Sequence, residues 1–233
     1  MEEGIIYMGK KTFKRGLIIG RFAPIQIGHE KLINIGLEFC ESTLVLVGSA
    51  QESGTLRNPY DIETRIDIIK KSHPEIPEDV LMIRGIKDLK NELNNDLSWG
   101  NYVKSEVIRH QGHFSDLAIY GNDSVKRSWF KSNELAELYV PRDEISATYV
   151  RGLMLINDEL EWQKTTAPLI HNMYNELRRK LINVPVYRYI YNSIRSDLTI
   201  EAFMKLYSKL EEDDRRKKLA DLQVELGGKY HEA

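Results

Sequence analysis

The chain has 233 residues, 42% of them hydrophobic and 29% charged, with a formal net charge of −2. That length holds one full-sized domain plus an appendage, and the near-neutral charge argues against broad electrostatic capture of nucleic acid or membrane. The single cysteine, Cys40, excludes an internal disulfide framework and a cysteine-based zinc cluster. It ends an apolar helical pattern and reads as a buried structural thiol. Met1 to Lys14 lacks the apolar core of a signal peptide and no stretch is long enough to span a bilayer, so a cytoplasmic, reduced setting is expected.

From Gly16 onward, short β-branched runs alternate with longer amphipathic ones. Leu17 to Ile19 reads as a buried strand, Gly28 to Phe39 as a helix with Leu32, Ile33, Ile35 and Gly36 inward, and Thr43 to Val47 as a second buried strand. A Gly/Ser/Asn/Pro-rich loop runs from Gly48 to Tyr60. A helix over Asp61 to Ser72 and a strand over Val80 to Ile83 follow. Trp99 to His110 reads as a helix, Leu117 to Tyr120 as a strand, Asp123 to Lys131 as a helix and Leu138 to Val140 as a short strand. Ser146 opens another helix, and Pro168 to Leu181 makes a long amphipathic one. This alternation predicts right-handed crossovers and an α/β fold with a doubly wound parallel sheet, whose ligands bind at the carboxyl ends of the strands.

Pro185 marks a boundary. Beyond it Tyr187, Tyr189 and Tyr191 alternate, and Thr199 to Leu226 looks helical. Residues 1–14 are thus an N-terminal extension, 15–184 the main domain and 185–233 a small helical C-terminal extension. The block Glu211 to Lys218 contains four acid-to-base pairs at i,i+4. At about 0.2–0.5 kcal/mol each, they read as a solvated helix face.

Chemistry concentrates after the first strand. Gly20-Arg21-Phe22-Ala23-Pro24-Ile25-Gln26-Ile27-Gly28-His29 runs from that strand into the first helix, whose open amides and partial positive charge attract phosphate. Gly20 and Gly28 permit close backbone approach, Arg21 adds a permanent cation, and the His29 ring falls in the first turn. The spacing fits neither a Walker loop nor a dinucleotide fingerprint. It resembles the Gly-x-Phe-x-Pro-x-His-x-Gly-His signature of the nucleotidyltransferase superfamily. Ile145-Ser146-Ala147-Thr148-Tyr149-Val150-Arg151 resembles that superfamily's Ile-Ser-x-Thr-x-x-Arg element. There Ser146 or Thr148 can cap the helix or donate to phosphate, and Arg151 offers a bidentate guanidinium.

A third segment, Gly48 to Tyr60 followed by Arg65, is similar to the Gly-Ser-Ala-Gln-x-Ser-x-Thr-x-x-Asn-Pro-Phe loop of archaeal-type nicotinamide mononucleotide adenylyltransferases. Tyr60 replaces the usual phenylalanine. Asp96-Leu97-Ser98-Trp99 matches where the family has a tryptophan that stacks on nicotinamide, with Asp96 in place of its common asparagine. Gly121-Asn122-Asp123 resembles the Gly-Asn turn on the adenine side. The resemblance covers Arg15 to Leu181.

It implies a Rossmann-like nucleotidyltransferase that transfers AMP from ATP to nicotinamide mononucleotide, with Mg²⁺ accompanying ATP and no protein metal ligand. His29 and Arg151 are expected at the triphosphate, Arg21 and Gln26 at the reacting phosphates, and Ser146 and Thr148 at the leaving end. Gly20, Phe22, Gly28, Gly121 and Asn122 complete the ATP side; Ser49, Thr55, Asn58, Arg65 and Trp99 serve the mononucleotide. Gln26 stands where the family has its first signature histidine and carries no charge, so stabilisation would lean on His29, Arg21 and Arg151. Transfer to pantetheine phosphate or flavin mononucleotide, or a catalytically weak nucleotide sensor, are the alternative readings. Neither nucleic acid nor membrane is expected as a partner, and a homo-oligomer is. His110, His113, His171 and His231 read as structural or exposed.

Overall fold

The computed structural model describes residues 11–89, 96–121, 129–130, 134–141 and 145–229. Five parallel strands form the sheet: β1 (Phe13–Gly20), β2 (Cys40–Val47), β3 (Leu81–Gly85), β4 (Leu117–Tyr120) and β5 (Ala136–Tyr139), in the order β3-β2-β1-β4-β5. Chain order reverses between β1 and β4, which is where a doubly wound sheet opens its crevice.

Both sheet faces are covered, as the unbroken apolar runs require. Ile83, Val45, Ile18, Ile119 and Leu138 line up across all five strands on one face. They pack beneath α1 (Ile27–Phe39), α2 (Ile62–Ser72) and the helices that follow β5. Leu17, Leu44 and Met82 form the opposite row, beneath α3 (Asp96–Gln111) with its Val103 and Val107. Each fully buried branched aliphatic contributes about 1.5–3 kcal/mol, so this alternation also fixes register. Gly36 lets α1 lie close on β2; a Cβ there would come 2.8 Å from Thr43 Cγ2. Cys40 is buried at the start of β2, and burial pushes its thiol up to about 11.

After β5 the chain forms α4 (Ala147–Ile156), the short α5 (Glu159–Lys164), a 3₁₀ turn (Pro168–Met173), α6 (Tyr174–Asn183), α7 (Pro185–Ser193) and α8 (Ile200–Lys229). The single helix expected over Pro168 to Leu181 is therefore two pieces. Its first part is tightened into the 3₁₀ turn, where His171 Nε2 meets the Gln163 carbonyl at 3.0 Å, a tertiary contact that periodicity does not reveal. Helix α5 was not anticipated, although Asp158 caps it by accepting from Glu161 N. An Asp followed three residues later by Glu was the available signal.

Pro185 is the first residue of α7, where a missing amide hydrogen is harmless. The alternating tyrosines lie on that helix, so Tyr187 is buried while Tyr189 is exposed. Phe203 and Tyr207, four apart on α8, face inward and join the same core cluster as Ile18 and Val45. Helix α8 lies so close on α4 that a Cβ at Gly152 would be 2.5 Å from Ile200 Cδ1. The charged block does carry i,i+4 pairs, Glu211–Arg215 and Glu212–Arg216, but Glu211 also reaches across to Arg57 at 2.7 Å. The helix expected over Asp123 to Lys131 falls largely outside the described residues. No helix among the described residues is long and apolar enough to cross a membrane.

Candidate active site

The loops that leave β1 and β2 meet at the carboxyl edge of the sheet, with Gly48 N donating to Gly20 O at 2.9 Å. Phe22 and Ser49, one in each loop, both hold the left-handed conformation at φ 51°. For side-chain-bearing residues this costs about 1–3 kcal/mol and must be over-determined by surroundings. Phe22 is fixed by burial and by the His29 ring, 4.6 Å away. Gly20 is needed there, since a Cβ would meet the Phe22 ring at 3.0 Å.

Gln26 is the N-cap of α1, which places Ile27, Gly28 and His29 in its first turn. Gln26 N donates to His29 Nδ1 at 3.2 Å, and His29 N returns a bond to Gln26 O at 2.8 Å. Accepting at Nδ1 puts the neutral ring's proton on Nε2, which makes Nε2 a hydrogen-bond donor. Gln26 itself is 5% exposed, and its Oε1 has no partner. Arg21 is exposed at the mouth of the loop.

Arg65 is fully buried, and its guanidinium donates to five main-chain carbonyls: Asp61, Arg21, Gly48, Ser49 and Glu52, at 2.7–3.4 Å. It therefore ties the β1 loop to the β2 loop from beneath. Within the second loop, Thr55 Oγ1 accepts from Asn58 N, and Asn58 Nδ2 donates to Glu52 Oε2 at 2.7 Å. Asn58 is 2% exposed and its Oδ1 is left without a partner. Glu52 went unnoticed in the sequence, because an ordinary surface glutamate looks the same. The hydroxyl that Tyr60 adds is buried and donates to Leu177 O at 3.2 Å, which accommodates the departure from phenylalanine.

Ser146 caps α4, accepting from Tyr149 N at 3.1 Å. One turn on, Arg151 is 3% exposed and points back to the first loop, donating from Nη1 to Ala23 O at 2.6 Å. Its Nη2 donates to Thr148 Oγ1 at 3.0 Å and to the Tyr207 hydroxyl at 2.8 Å, while Nε is buried without a partner. The structure thus brings Gly20 to His29, Ser49 to Arg65 and Thr148 to Arg151 together. Gly121 follows β4 and closely abuts Val140 O, where a Cβ would lie at 3.2 Å. Asn122 lies outside the described residues. Trp99 sits on α3, edge-on to Trp129 with ring centroids 5.9 Å apart and beside Tyr102 at 5.5 Å.

His73 had no assigned role in the sequence, yet it meets Glu30, the residue after His29. Glu30 Oε2 and His73 Nε2 are 3.2 Å apart, both largely buried. Burial pushes the Glu30 carboxyl from 4.5 up to about 7, against a smaller opposite pull from Ser72, and burial also lowers the His73 imidazolium. His73 Nδ1 faces the Ile69 carbonyl at 3.3 Å, an acceptor only, so Nε2 is left to accept from a protonated Glu30. The native state holds that proton more tightly than the unfolded chain, so stability falls as pH rises from 4.5 to 7. Glu30→Gln, which keeps a donor and removes the charge, is expected to stabilise by about 3 kcal/mol at pH 8 and progressively less towards pH 5. Denaturant midpoints across that range check this, and a pH-independent gap would contradict it.

A three-layer α/β sheet whose first crossover opens a helix at the carboxyl edge of β1 has the nucleotidyltransferase-like fold. It superimposes on a bifunctional NMN adenylyltransferase/ADP ribose pyrophosphatase from Francisella tularensis with a TM-score of 0.62 at 20% identity, covering 79% of this chain and 54% of that one. The chain therefore spans about half the length of that protein. A form complexed with AMP and a manganese ion gives 0.60. No family model matches the sequence. The nicotinamide-nucleotide adenylyltransferase of Aeropyrum pernix is 32% identical over 170 residues, 70% of this chain and 92% of its own. That of Saccharolobus solfataricus is 29% identical over 178 residues, 76% of this chain and 89% of its own. The chain belongs to the nicotinamide-nucleotide adenylyltransferase family.

Proposed function

We propose that the chain transfers AMP from ATP to nicotinamide mononucleotide, releasing pyrophosphate and leaving NAD. The observation that carries this is the junction at the carboxyl edge of β1 and β2. There the start of α1, the Gly48–Tyr60 loop and the Arg151 guanidinium are joined through Arg65 and the Ala23 carbonyl.

A phosphate oxygen of the mononucleotide attacks the α-phosphorus of ATP in line, a new P–O bond forms, and the bond to pyrophosphate breaks. The attacking oxygen is already anionic, so no general base is required; alignment and charge neutralisation lower the barrier. His29 Nε2–H, the Gly28 amide in the first turn of α1, and Arg21 stabilise the reacting phosphates; the Ile27 amide is taken by the Thr165 carbonyl at 2.9 Å. Gln26 adds an uncharged hydrogen bond. Arg151 joins His29 at the triphosphate, with Ser146 and Thr148 at the leaving end and Gly20, Phe22 and Gly121 shaping the nucleotide side. Ser49, Thr55 and Asn58 serve the mononucleotide, the unpartnered Asn58 Oδ1 being suited to an amide donor. Arg65 acts by positioning that loop. Mg²⁺ enters with ATP as part of the substrate. Among the described residues no group of three or more His, Cys, Asp or Glu is placed to hold a metal ion.

Trp99 offers an indole face to the cationic nicotinamide ring. Pyrophosphate release measured with nicotinamide mononucleotide, pantetheine phosphate and flavin mononucleotide as acceptors tests the assignment; the first must support turnover, and its failure beside an active rival acceptor refutes the reading. Trp99→Ala is expected to raise KM for nicotinamide mononucleotide about three- to tenfold while sparing that for ATP. An unchanged acceptor KM removes the stacking role.

A further inference from the structure

Helix α8 does more than cover the core, because the Tyr207 hydroxyl joins two parts of the site. It accepts from Arg151 Nη2 at 2.8 Å and donates to the Leu56 carbonyl at 3.3 Å. A hydroxyl has one proton to give, and this direction uses it fully: the guanidinium donates in, and the loop carbonyl accepts what goes out. Tyr187 of α7 donates to the same Leu56 carbonyl at 2.7 Å. One turn beyond Tyr207, Glu211 pairs with Arg57 at 2.7 Å, so two adjacent residues of the Gly48–Tyr60 loop are held by the C-terminal helices. The Tyr207 ring also lies 5.5 Å from the Arg151 guanidinium carbon, and both residues are buried. Low local dielectric strengthens each bond in such a chain.

We propose that Tyr207 is a positioning residue that sets Arg151 and the mononucleotide loop in one register, so that the ATP and acceptor subsites assemble together. The proposal rests on the adenylyltransferase reading. Tyr207 directs two Arg151 donors towards Thr148 and itself, leaves Nε–H unspent, and fixes the same guanidinium that grips Ala23 in the phosphate loop. Losing the hydroxyl removes one bond from each end, so the guanidinium and the loop are no longer set by a shared group.

The test is Tyr207→Phe, which keeps the ring over Arg151 and removes only the relay. With wild-type turnover established first, KM for ATP and KM for nicotinamide mononucleotide are both expected to rise, lowering each kcat/KM about tenfold. The thermal midpoint should move little. A purely structural role would instead shrink the active fraction, lowering kcat with both Michaelis constants intact, and that result overturns the proposal. So does a shift confined to one substrate, or a gain in rate, which would make the contact a restraint. A wild-type chain that releases no pyrophosphate sinks the adenylyltransferase reading and this proposal with it. A fully active wild type with an indistinguishable Tyr207→Phe sinks the proposal alone.

Discussion

Replacing His29 with alanine is expected to lower kcat by about two to three orders of magnitude, the effect of removing a preorganised donor aimed at developing charge. The ring is held on two sides. Gln26 N donates into Nδ1, which fixes the tautomer, and the Phe22 ring lies tilted against it with centroids 4.6 Å apart. Because Nδ1 is committed as an acceptor, the donor at Nε2 is present without any need for an imidazolium. The loss should therefore appear across neutral pH rather than only under acidic conditions, where an imidazolium forms. The fold should survive, since the ring is only partly buried and His29 N keeps its bond to Gln26 O through the main chain. Steady-state kinetics with circular dichroism on the same sample checks both halves. A folded variant within threefold of the wild-type rate would remove His29 from the mechanism.

Arg65→Lys should be the most damaging conservative change to stability, costing about 3 kcal/mol or more. Arginine's planar fork meets five carbonyls from two loops and the α2 cap. A lysine ammonium carries the same charge but three donors at one point, so several buried acceptors lose their partners. Those acceptors sit in loops already strained at Phe22 and Ser49, and releasing them lets both relax. The denaturant midpoint should fall, and KM for the mononucleotide should rise in whatever folds. A variant with unchanged midpoint would show that the loops hold their shape without it.

Much of the sheet was legible because parallel strands buried on both faces must be continuously apolar, and Leu17 to Ile19 and Thr43 to Val47 are. The cap at Ser146 was legible for a similarly local reason: a short polar side chain can accept from the amide three residues on. Arg65 shows where such reading runs out. Its place after the loop marked it as a ligand contact, yet its donors are spent on main chain, and no property of the residue itself distinguishes those uses. His73 and Glu52 were overlooked because their partners, Glu30 and Asn58, become neighbours only through folding.

The sequence by itself determined the α/β layering, the phosphate-attracting start of α1 and the family resemblance, because periodicity, caps and glycine spacing are properties of contiguous residues. Only the tertiary structure decided that the C-terminal helices share the main core and that Tyr207 lies between Arg151 and Leu56. Those partners are 56 and 151 residues away in the chain, and burial brings them together by the shape of the packed core rather than by any local pattern.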